Sequence, residues 1–181
     1  MTASAVYGDG LTLSIANPLI GNPRTRSGKE TTIIDHKLVA TTSIDEVGDI
    51  VHLALIPSNA VVTFVGLVAD DLDSHSTPTL AYNVGCYYFG DSRGQKAAGK
   101  ARGDVVDVDA IASAVTVGQS AATTWQDVTF EARNIDTAGT ELWSVCGLTS
   151  DPGGHFMISL TMTAAAATAV AGDVSIKVSF L

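Results

Sequence analysis

The residues best suited to chemistry lie in an acidic loop, Asp70-Asp71-Leu72-Asp73-Ser74-His75. Alternating carboxylates in a loop offer the oxygen ligands that a hard cation such as Ca²⁺ takes. The loop lacks the glycine and the distal glutamate of an EF-hand, and aspartate and serine also favour tight turns because they bond to the local backbone. The sequence therefore favours turn chemistry, with Asp70, Asp71 and Asp73 as the alternative metal ligands.

Motifs for zinc-dependent catalysis and nucleotide binding do not occur in the sequence. It contains no HExxH, P-loop or GxGxxG pattern, so no sequence signal points to a zinc hydrolase or a cradled phosphate. A GxSxG match occurs at residues 90–94, and a motif of this length indicates a hydrolase only with a Ser/His/Asp cluster around it. The four histidines stand singly on predicted outer strand faces or in loops: His36, His52, His75 and His155. Scattered histidines lack the spacing of a zinc site. We therefore expect no enzyme activity and no cofactor.

Positive charges are few but clustered. The chain carries 10 lysines and arginines against 19 acidic residues, a formal net charge of −9 at pH 7, which disfavours DNA or RNA as a partner. A run of cations is ordinarily a solvated loop, and the alternative is a surface that docks onto an acidic protein. The candidate contact residues are Arg24, Arg26 and Lys29 near the start, and Arg93, Lys96, Lys100 and Arg102 in a glycine-rich stretch.

Aromatic side chains could in principle form a platform on which a sugar stacks. The candidates are Trp125, Trp143, Tyr82, Tyr87, Tyr88 and Phe89. Aromatic residues make up only 6% of the chain, and these six are spread over several predicted elements. Packing in the core or at an interface is therefore the favoured interpretation.

The elements that must position these residues begin after an irregular start. Frequent glycine and proline predict an extended N-terminal arm, residues 1–30, and sustained patterning predicts one domain over residues 31–181. Residues 1–8 lack the features of an export signal. The longest weakly polar run, 162–171, is too short for a membrane span.

The composition is low in charge for a soluble protein. Charged residues make up 16% of the chain and the mean hydropathy is +0.27, whereas a typical domain has about 25% charged residues. Two explanations stay open: a β protein rich in small residues, or a surface largely covered by other subunits. Cys86 and Cys146 are not in CxxC spacing. We expect free, buried thiols, with a disulfide within or between subunits as the alternative.

Alternating apolar and polar residues predict seven or eight short strands. The segments are 36–43, 51–57, 61–69, 79–85, 106–110, 126–133, 156–163 and 174–180. The last two predict a hairpin-like pair, and Thr140 predicts the cap of a helix over 141–148. The segment 61–69 is apolar on both faces and so needs cover on both sides, from a second sheet or another subunit. The pattern indicates an all-β fold, an antiparallel β-sandwich of jelly-roll type.

Several segments together resemble a family of small virion proteins of tailed bacteriophages. The matching stretches are 51–60, 69–74, 77–80, 83–85, 149–154 and the Ala171-Gly172 step before the terminal strand. The resemblance covers about residues 35–90 and 145–181. It implies a non-enzymatic head decoration (cement) protein, made in the bacterial host cytoplasm and bound to the capsid surface. The implied partners are the major capsid protein and other copies of this chain, as a homotrimer at local three-fold axes.

The competing hypothesis is a receptor- or carbohydrate-binding β-sandwich of a phage tail or fibre. It would use exposed aromatic side chains and the loop of Asp70, Asp71 and Asp73 with Ca²⁺. Copy number on the particle separates the two hypotheses, since cement proteins coat the head and adsorption proteins are few. An esterase-like enzyme would need a Ser/His/Asp cluster, and the scattered histidines do not mark one in the sequence.

Overall fold

The computed structural model describes residues 5–7, 30–91 and 93–181, and it is almost entirely β-structure. The strands of this described part are β1 (Ala5–Tyr7), β2 (Thr31–Val39), β3 (Ile50–Pro57), β4 (Val62–Ala69), β5 (Ala81–Tyr88), β6 (Val105–Val115), β7 (Gln126–Asp127), β8 (His155–Ala164) and β9 (Gly172–Phe180). The short elements are helices Arg93–Ala97 and Leu142–Val145 and 3-10 turns Thr41–Ser43 and Ile135–Thr137. None of the described helices has the length and apolar character needed to cross a membrane.

Two sheets face each other across one core. Sheet A has the strand order β1-β3-β8-β5-β6, and sheet B has the order β2-β9-β4-β7. The described ladders are antiparallel, apart from the parallel pairing of β1 with β3. The predicted antiparallel β-sandwich is confirmed.

The core forms because each sheet turns one apolar face inward. Val65 of β4 and Ile176 of β9, from sheet B, belong to one buried cluster with Val84 of β5 and Leu160 of β8, from sheet A. All four are at most 1% exposed. Burying side chains of this size contributes roughly 1.5–3 kcal/mol each, so the alternation seen in the sequence accounts for the pairing of the sheets.

Side chains of the same chain cover the inner face of strand β4 fully and its outer face in part. Val65 and Leu67 are fully buried against sheet A. A bulge between Val62 and Phe64 resets the alternation, so Phe64 points outward with Val68. Both outward side chains are half-buried, and the Lys177 ammonium lies 5.4 Å from the centroid of the Phe64 ring. The second sheet therefore covers the inner face of β4, as the apolar pattern of segment 61–69 predicts.

The predicted hairpin-like pair at the C-terminus was wrong. Strand β8 lies in sheet A and β9 lies in sheet B. Consecutive strands change sheet at almost every step, so among the described strands only β5 and β6 follow each other and share a ladder. Alternation in a sequence fixes which face of a strand is buried, but it carries no information about the neighbouring strand.

Two further predictions were too long. The alternating segment 126–133 forms a strand only at Gln126–Asp127, after which the chain turns. The helix predicted over 141–148 spans Leu142–Val145, and Glu141, not Thr140, is its N-cap residue. The Thr140 hydroxyl instead donates to the Thr137 carbonyl oxygen, so it stabilises the preceding turn.

Part of the predicted N-terminal arm adds to sheet A. Residues Ala5–Tyr7 pair in parallel with Ile50–His52 of β3. Residues 1–4 and 8–29 lie outside the described residues.

Both cysteines are buried free thiols, as predicted. A hydrogen bond with the neighbouring Cys146 side chain and burial together raise the pKa of the Cys86 thiol. A thiol that stays protonated is a poor nucleophile, so in this state the pair behaves as part of the core.

Candidate functional site

The basic connection, residues 89–104 between β5 and β6, holds four of the sequence-predicted contact residues. It contains a helix, Arg93–Ala97, that the sequence pattern does not predict. The buried Gln95 side chain fixes this helix: its carbonyl oxygen accepts from the Gly90 N–H at 2.7 Å, and its amide donates to the Gly153 carbonyl oxygen at 2.6 Å and to that of His155 at 3.2 Å. An amide with its donors and acceptor satisfied holds the connection in one conformation.

The helix rests directly on the turn before β8. At Gly94 an added Cβ would lie 2.3 Å from the Pro152 carbonyl oxygen, so only glycine permits this approach. Beside it the His155 ring nitrogen Nδ1 lies 2.7 Å from a carboxylate oxygen of Asp91. Burial alone would raise the pKa of Asp91, but His155 and backbone donors outweigh it and lower the pKa. The segment 151–154 before β8 therefore lies directly against the basic connection.

The four cations of the basic connection reach solvent and do not meet at one point. Arg93 and Lys96 are exposed on the helix. The Lys100 ammonium lies 5.3 Å from the centroid of the Tyr88 ring, and the Arg102 guanidinium carbon lies 4.6 Å from that of Phe89. Contacts of this kind orient a cation at an exposed site. Two of the four cations, Lys100 and Arg102, are therefore held against aromatic rings, and Arg93 and Lys96 lie on the exposed side of the helix.

The other predicted cationic cluster cannot be placed. Arg24, Arg26 and Lys29 lie outside the described residues.

The acidic loop is organised around one buried carboxylate, Asp73, which is 1% exposed. Its two oxygens accept four backbone N–H groups at 2.7–3.0 Å, donated by Thr79, Leu80, Ala167 and Thr168. Burial alone would raise the pKa of Asp73, but these four donors outweigh it and hold the pKa well below its ordinary value of 3.8. Asp73 thus ties the β4–β5 connection to the β8–β9 connection.

The remaining aspartates of the loop do not join Asp73 in a ligand set. A carboxylate oxygen of Asp70 accepts from the Asp173 N–H at 2.8 Å, and Asp71 is exposed. Within the described ranges no three His, Cys, Asp or Glu side chains are grouped so that they could hold a metal ion. These contacts fit the interpretation that the sequence favours, in which the loop aspartates accept hydrogen bonds from the backbone and stabilise turns.

One serine–histidine contact does exist, and the sequence did not reveal it. The His52 ring nitrogen Nδ1 lies 2.6 Å from the Ser159 hydroxyl oxygen, because β3 and β8 are paired with these residues opposite each other. His52 is 1% exposed and Ser159 is fully buried. Burial lowers the pKa of His52 to about 4, so the ring is neutral at pH 7. The Tyr87 ring packs edge-on against it at 5.2 Å, and a substrate has no approach to a pair so placed.

The aromatic side chains proposed as a sugar platform are mostly inside the protein. Tyr82, Tyr87, Tyr88 and Phe89 are each at most 5% exposed. Of the two tryptophans, Trp125 is 39% exposed and the indole N–H of Trp143 donates to a carboxylate oxygen of Glu141 at 2.6 Å. Four of the six rings therefore stabilise the packing, and they do not form an open stacking surface.

Comparison with known proteins finds similarity at the level of structure. The chain resembles a chain from the capsid of Ralstonia phage GP4 with a TM-score of 0.66 and 18% identity, over 98% of this chain and 97% of the other. It also resembles a chain from the capsid asymmetric unit of cyanophage Pam1 with a TM-score of 0.54 and 22% identity, over 91% and 94% of the two chains. No protein-family model matches the sequence, and no curated protein sequence matches it. At these identities the similarity shows a shared fold.

Proposed function

We propose that this protein is a non-enzymatic structural component of a tailed-phage virion that binds and stabilises the capsid shell as a decoration (cement) protein. The observation that carries the proposal is the shared fold with chains from two phage capsids over more than nine-tenths of every chain compared. Such a protein must clip neighbouring capsid subunits and needs no active site. The buried His52–Ser159 pair and the occupied Asp73 carboxylate are consistent with that role.

The strand order supports a jelly-roll assignment within the sandwich. If strands β2 to β9 take the letters B to I in chain order, the strand order of one sheet, β2-β9-β4-β7, is B-I-D-G. The strand order of the other sheet without β1, β3-β8-β5-β6, is C-H-E-F. Jelly rolls are built as two such four-stranded sheets and are frequent in viral capsids. The extra strand β1 lies outside this set of eight.

The basic connection is the proposed contact with the major capsid protein. Its exposed cations are Arg93, Lys96, Lys100 and Arg102, and the backbone beneath them is fixed by Gln95. Preorganised charge of this kind guides association with an acidic surface and sets its orientation. Arg24, Arg26 and Lys29 would act with them from the arm.

A homotrimer is proposed for the free protein and for its place on the shell. On β2, at one end of sheet B, Ile34 is 62% exposed and Leu38 is 65% exposed, and both point to the same outer face. Exposed apolar side chains on one sheet face suit a contact between subunits. The predicted arm, residues 1–30, is proposed to pair with a neighbour or lie on the shell, apart from Ala5–Tyr7, which join sheet A of their own chain.

The proposal is tested by copy number and location on purified particles. Gel stoichiometry against the major capsid protein should give on the order of hundreds of copies per head, since a symmetric shell repeats its attachment sites. A few copies located at the tail would overturn the cement assignment in favour of an adsorption role. Deleting residues 2–28 should lower occupancy on the head because one of several contacts is lost, and unchanged occupancy would rule out the arm contact.

A further inference from the structure

The outer face of sheet B carries exposed apolar side chains on both sides of one lysine, Lys177 of β9. On β2, Ile34 is 62% exposed and Leu38 is 65% exposed. On the other side of the lysine, Trp125 is 39% exposed and Phe64 of β4 is half-buried. An exposed apolar face of this kind marks a surface that another protein can cover.

Strand register places these side chains in one line across the sheet. Lys177 is paired with Ile34 of β2 on one side and with Gly66 of β4 on the other. A Cβ at Gly66 would lie 2.7 Å from Cε1 of Phe64 and 3.5 Å from Cβ of Trp125, so both aromatic residues lie beside this glycine. We call the line of Ile34, Lys177, Phe64 and Trp125 the lysine strip.

The ammonium of Lys177 has no carboxylate partner among the described residues. Its contact is with the Phe64 ring, whose centroid lies 5.4 Å from Nζ. Asp173 faces the same way on β9 but is four residues away, about 13 Å along the strand. A carboxylate from outside can therefore bind the ammonium, while apolar neighbours on the same partner cover Ile34 and Trp125.

The partner that fits the lysine strip is an acidic segment with an exposed apolar side chain, and this chain itself presents one. The chain has 19 acidic residues against 10 lysines and arginines, so a second copy is rich in carboxylates. In the connection between β2 and β3, Val47 is 66% exposed and follows Asp45 and Glu46. Among the exposed large apolar side chains of the described residues, Val47 alone has two consecutive acidic residues beside it.

Hydrogen bonds on both sides hold this acidic tip, residues 45–47. Before it, the Ile44 carbonyl oxygen accepts from the Ala166 N–H at 3.0 Å. After it, the Gly48 N–H donates to the Met162 carbonyl oxygen at 2.8 Å. A segment that is already fixed loses little conformational freedom when it binds.

We propose that the lysine strip of one copy receives the acidic tip of a second copy. A carboxylate of Asp45 or Glu46 pairs with Lys177, and Val47 packs against the apolar side chains of the strip. Because the strip and the tip are different surfaces of the chain, the contact is heterologous, and its repetition around an axis closes a ring. The inference rests on the proposed homotrimer, which would be such a ring, and it does not depend on the capsid contact.

Charge reversal in the full-length protein tests the pairing. Light scattering after size exclusion should give a mass of about 56 kDa for the wild-type protein, three times 18.6 kDa. Lys177→Glu should weaken self-association in a dilution series by at least about tenfold, since like charges then face each other. The tip variant with Asp45→Lys and Glu46→Lys should weaken it by a similar factor. Combining the strip and tip changes should restore self-association to within about threefold of the wild type.

Lys96→Glu is the matched control, because it makes the same charge change on the exposed helix of the basic connection. This variant should self-associate like the wild type. Circular dichroism of every variant confirms that the fold is retained.

Three results would overturn the inference. A wild-type protein that stays monomeric at high micromolar concentration would remove both the homotrimer and this contact. A folded Lys177→Glu variant that self-associates normally would remove the lysine strip and leave the homotrimer in place. A combined variant that does not self-associate would exclude the acidic tip as the partner segment. The assay contains no capsid, so head occupancy and the cement role are tested separately.

Discussion

Asp73 and Arg133 are both charged and more than nine-tenths buried, but their surroundings are opposite. The Asp73 carboxylate accepts four backbone N–H groups from two connections that are far apart in sequence. The Arg133 guanidinium has no hydrogen-bond partner among the described residues. Both charged groups are buried, and they differ in whether they have hydrogen-bond partners.

The difference separates a charge that stabilises the fold from a charge that reduces its stability. A carboxylate that accepts four backbone hydrogen bonds ties two connections together, which is why the acidic loop fits a structural role better than a metal site. A buried guanidinium without hydrogen-bond partners reduces the stability of the fold. The two sites should therefore respond in opposite directions when the charge is removed.

Removing the Asp73 carboxylate should have the largest effect. Asp73→Ala leaves four N–H donors without their acceptor and unties the two connections. A hydrogen bond to a charged group contributes about 1.5–3 kcal/mol and the four are coupled, so we expect the free energy of unfolding to fall by about 3–5 kcal/mol. Urea denaturation followed by circular dichroism measures the change. Asp73→Asn keeps one oxygen acceptor and should lose less, whereas a loss below about 1 kcal/mol in the alanine variant would contradict the role of Asp73.

The same carboxylate should make stability depend on pH. The pKa of Asp73 in the folded state is below its ordinary value of 3.8, so the unfolded chain takes up the proton first. The stabilisation is complete above that ordinary value and is lost as the pH falls towards the folded pKa. The difference in unfolding free energy between the wild-type protein and Asp73→Asn should therefore be constant from pH 7 to 5 and shrink below pH 4. A difference that stays flat to pH 3 would show that the folded carboxyl group is not preferentially ionised.

Removing the Arg133 charge should stabilise the isolated protein. Methionine has a similar length and no donors, and replacing poorly compensated buried charge with apolar side chains is often stabilising by about 1–4 kcal/mol. We expect Arg133→Met to raise the free energy of unfolding by about 1 kcal/mol, since contact with the Phe130 ring is also lost. A loss of stability of similar size would show that Arg133 already has a good partner, and it would break the comparison with Asp73.

Much of the fold could be predicted because it depends on local alternation. Phe156, Leu160 and Ile176 are buried as their alternation requires. The placement of β8 and β9 in different sheets could not be predicted, because the choice of neighbour depends on long-range packing. The segment after Asp127 also alternates, yet it turns away from sheet B, since a pattern of side chains does not guarantee a partner strand.

The candidate sites were less accessible from the sequence. The exposed cations at Lys100 and Arg102 were found because charge clusters are visible in a sequence. The roles of Asp73 and Gln95 depend on backbone groups that are distant in the chain, and no sequence pattern marks them. Arg133 read as an outward residue of a strand, whereas the chain turns and buries it. Whether a buried charge has hydrogen-bond partners depends on the folded structure, which brings together groups that are distant in the chain.

The smallest effect is expected where a cation is neither buried nor unsatisfied. Arg102 is exposed, and its guanidinium carbon lies 4.6 Å from the centroid of the Phe89 ring, a contact that contributes about 0.5–1 kcal/mol at the surface. Arg102→Gln should lower the free energy of unfolding by no more than that, and Arg93→Gln, the matched change of an exposed arginine on the adjacent helix, should lower it by less. Urea denaturation of the two variants tests this order. A loss above about 2 kcal/mol for Arg102→Gln would show that Arg102 stabilises the fold as Asp73 does. A surface cation that serves only in binding can be removed with little effect on the free energy of unfolding.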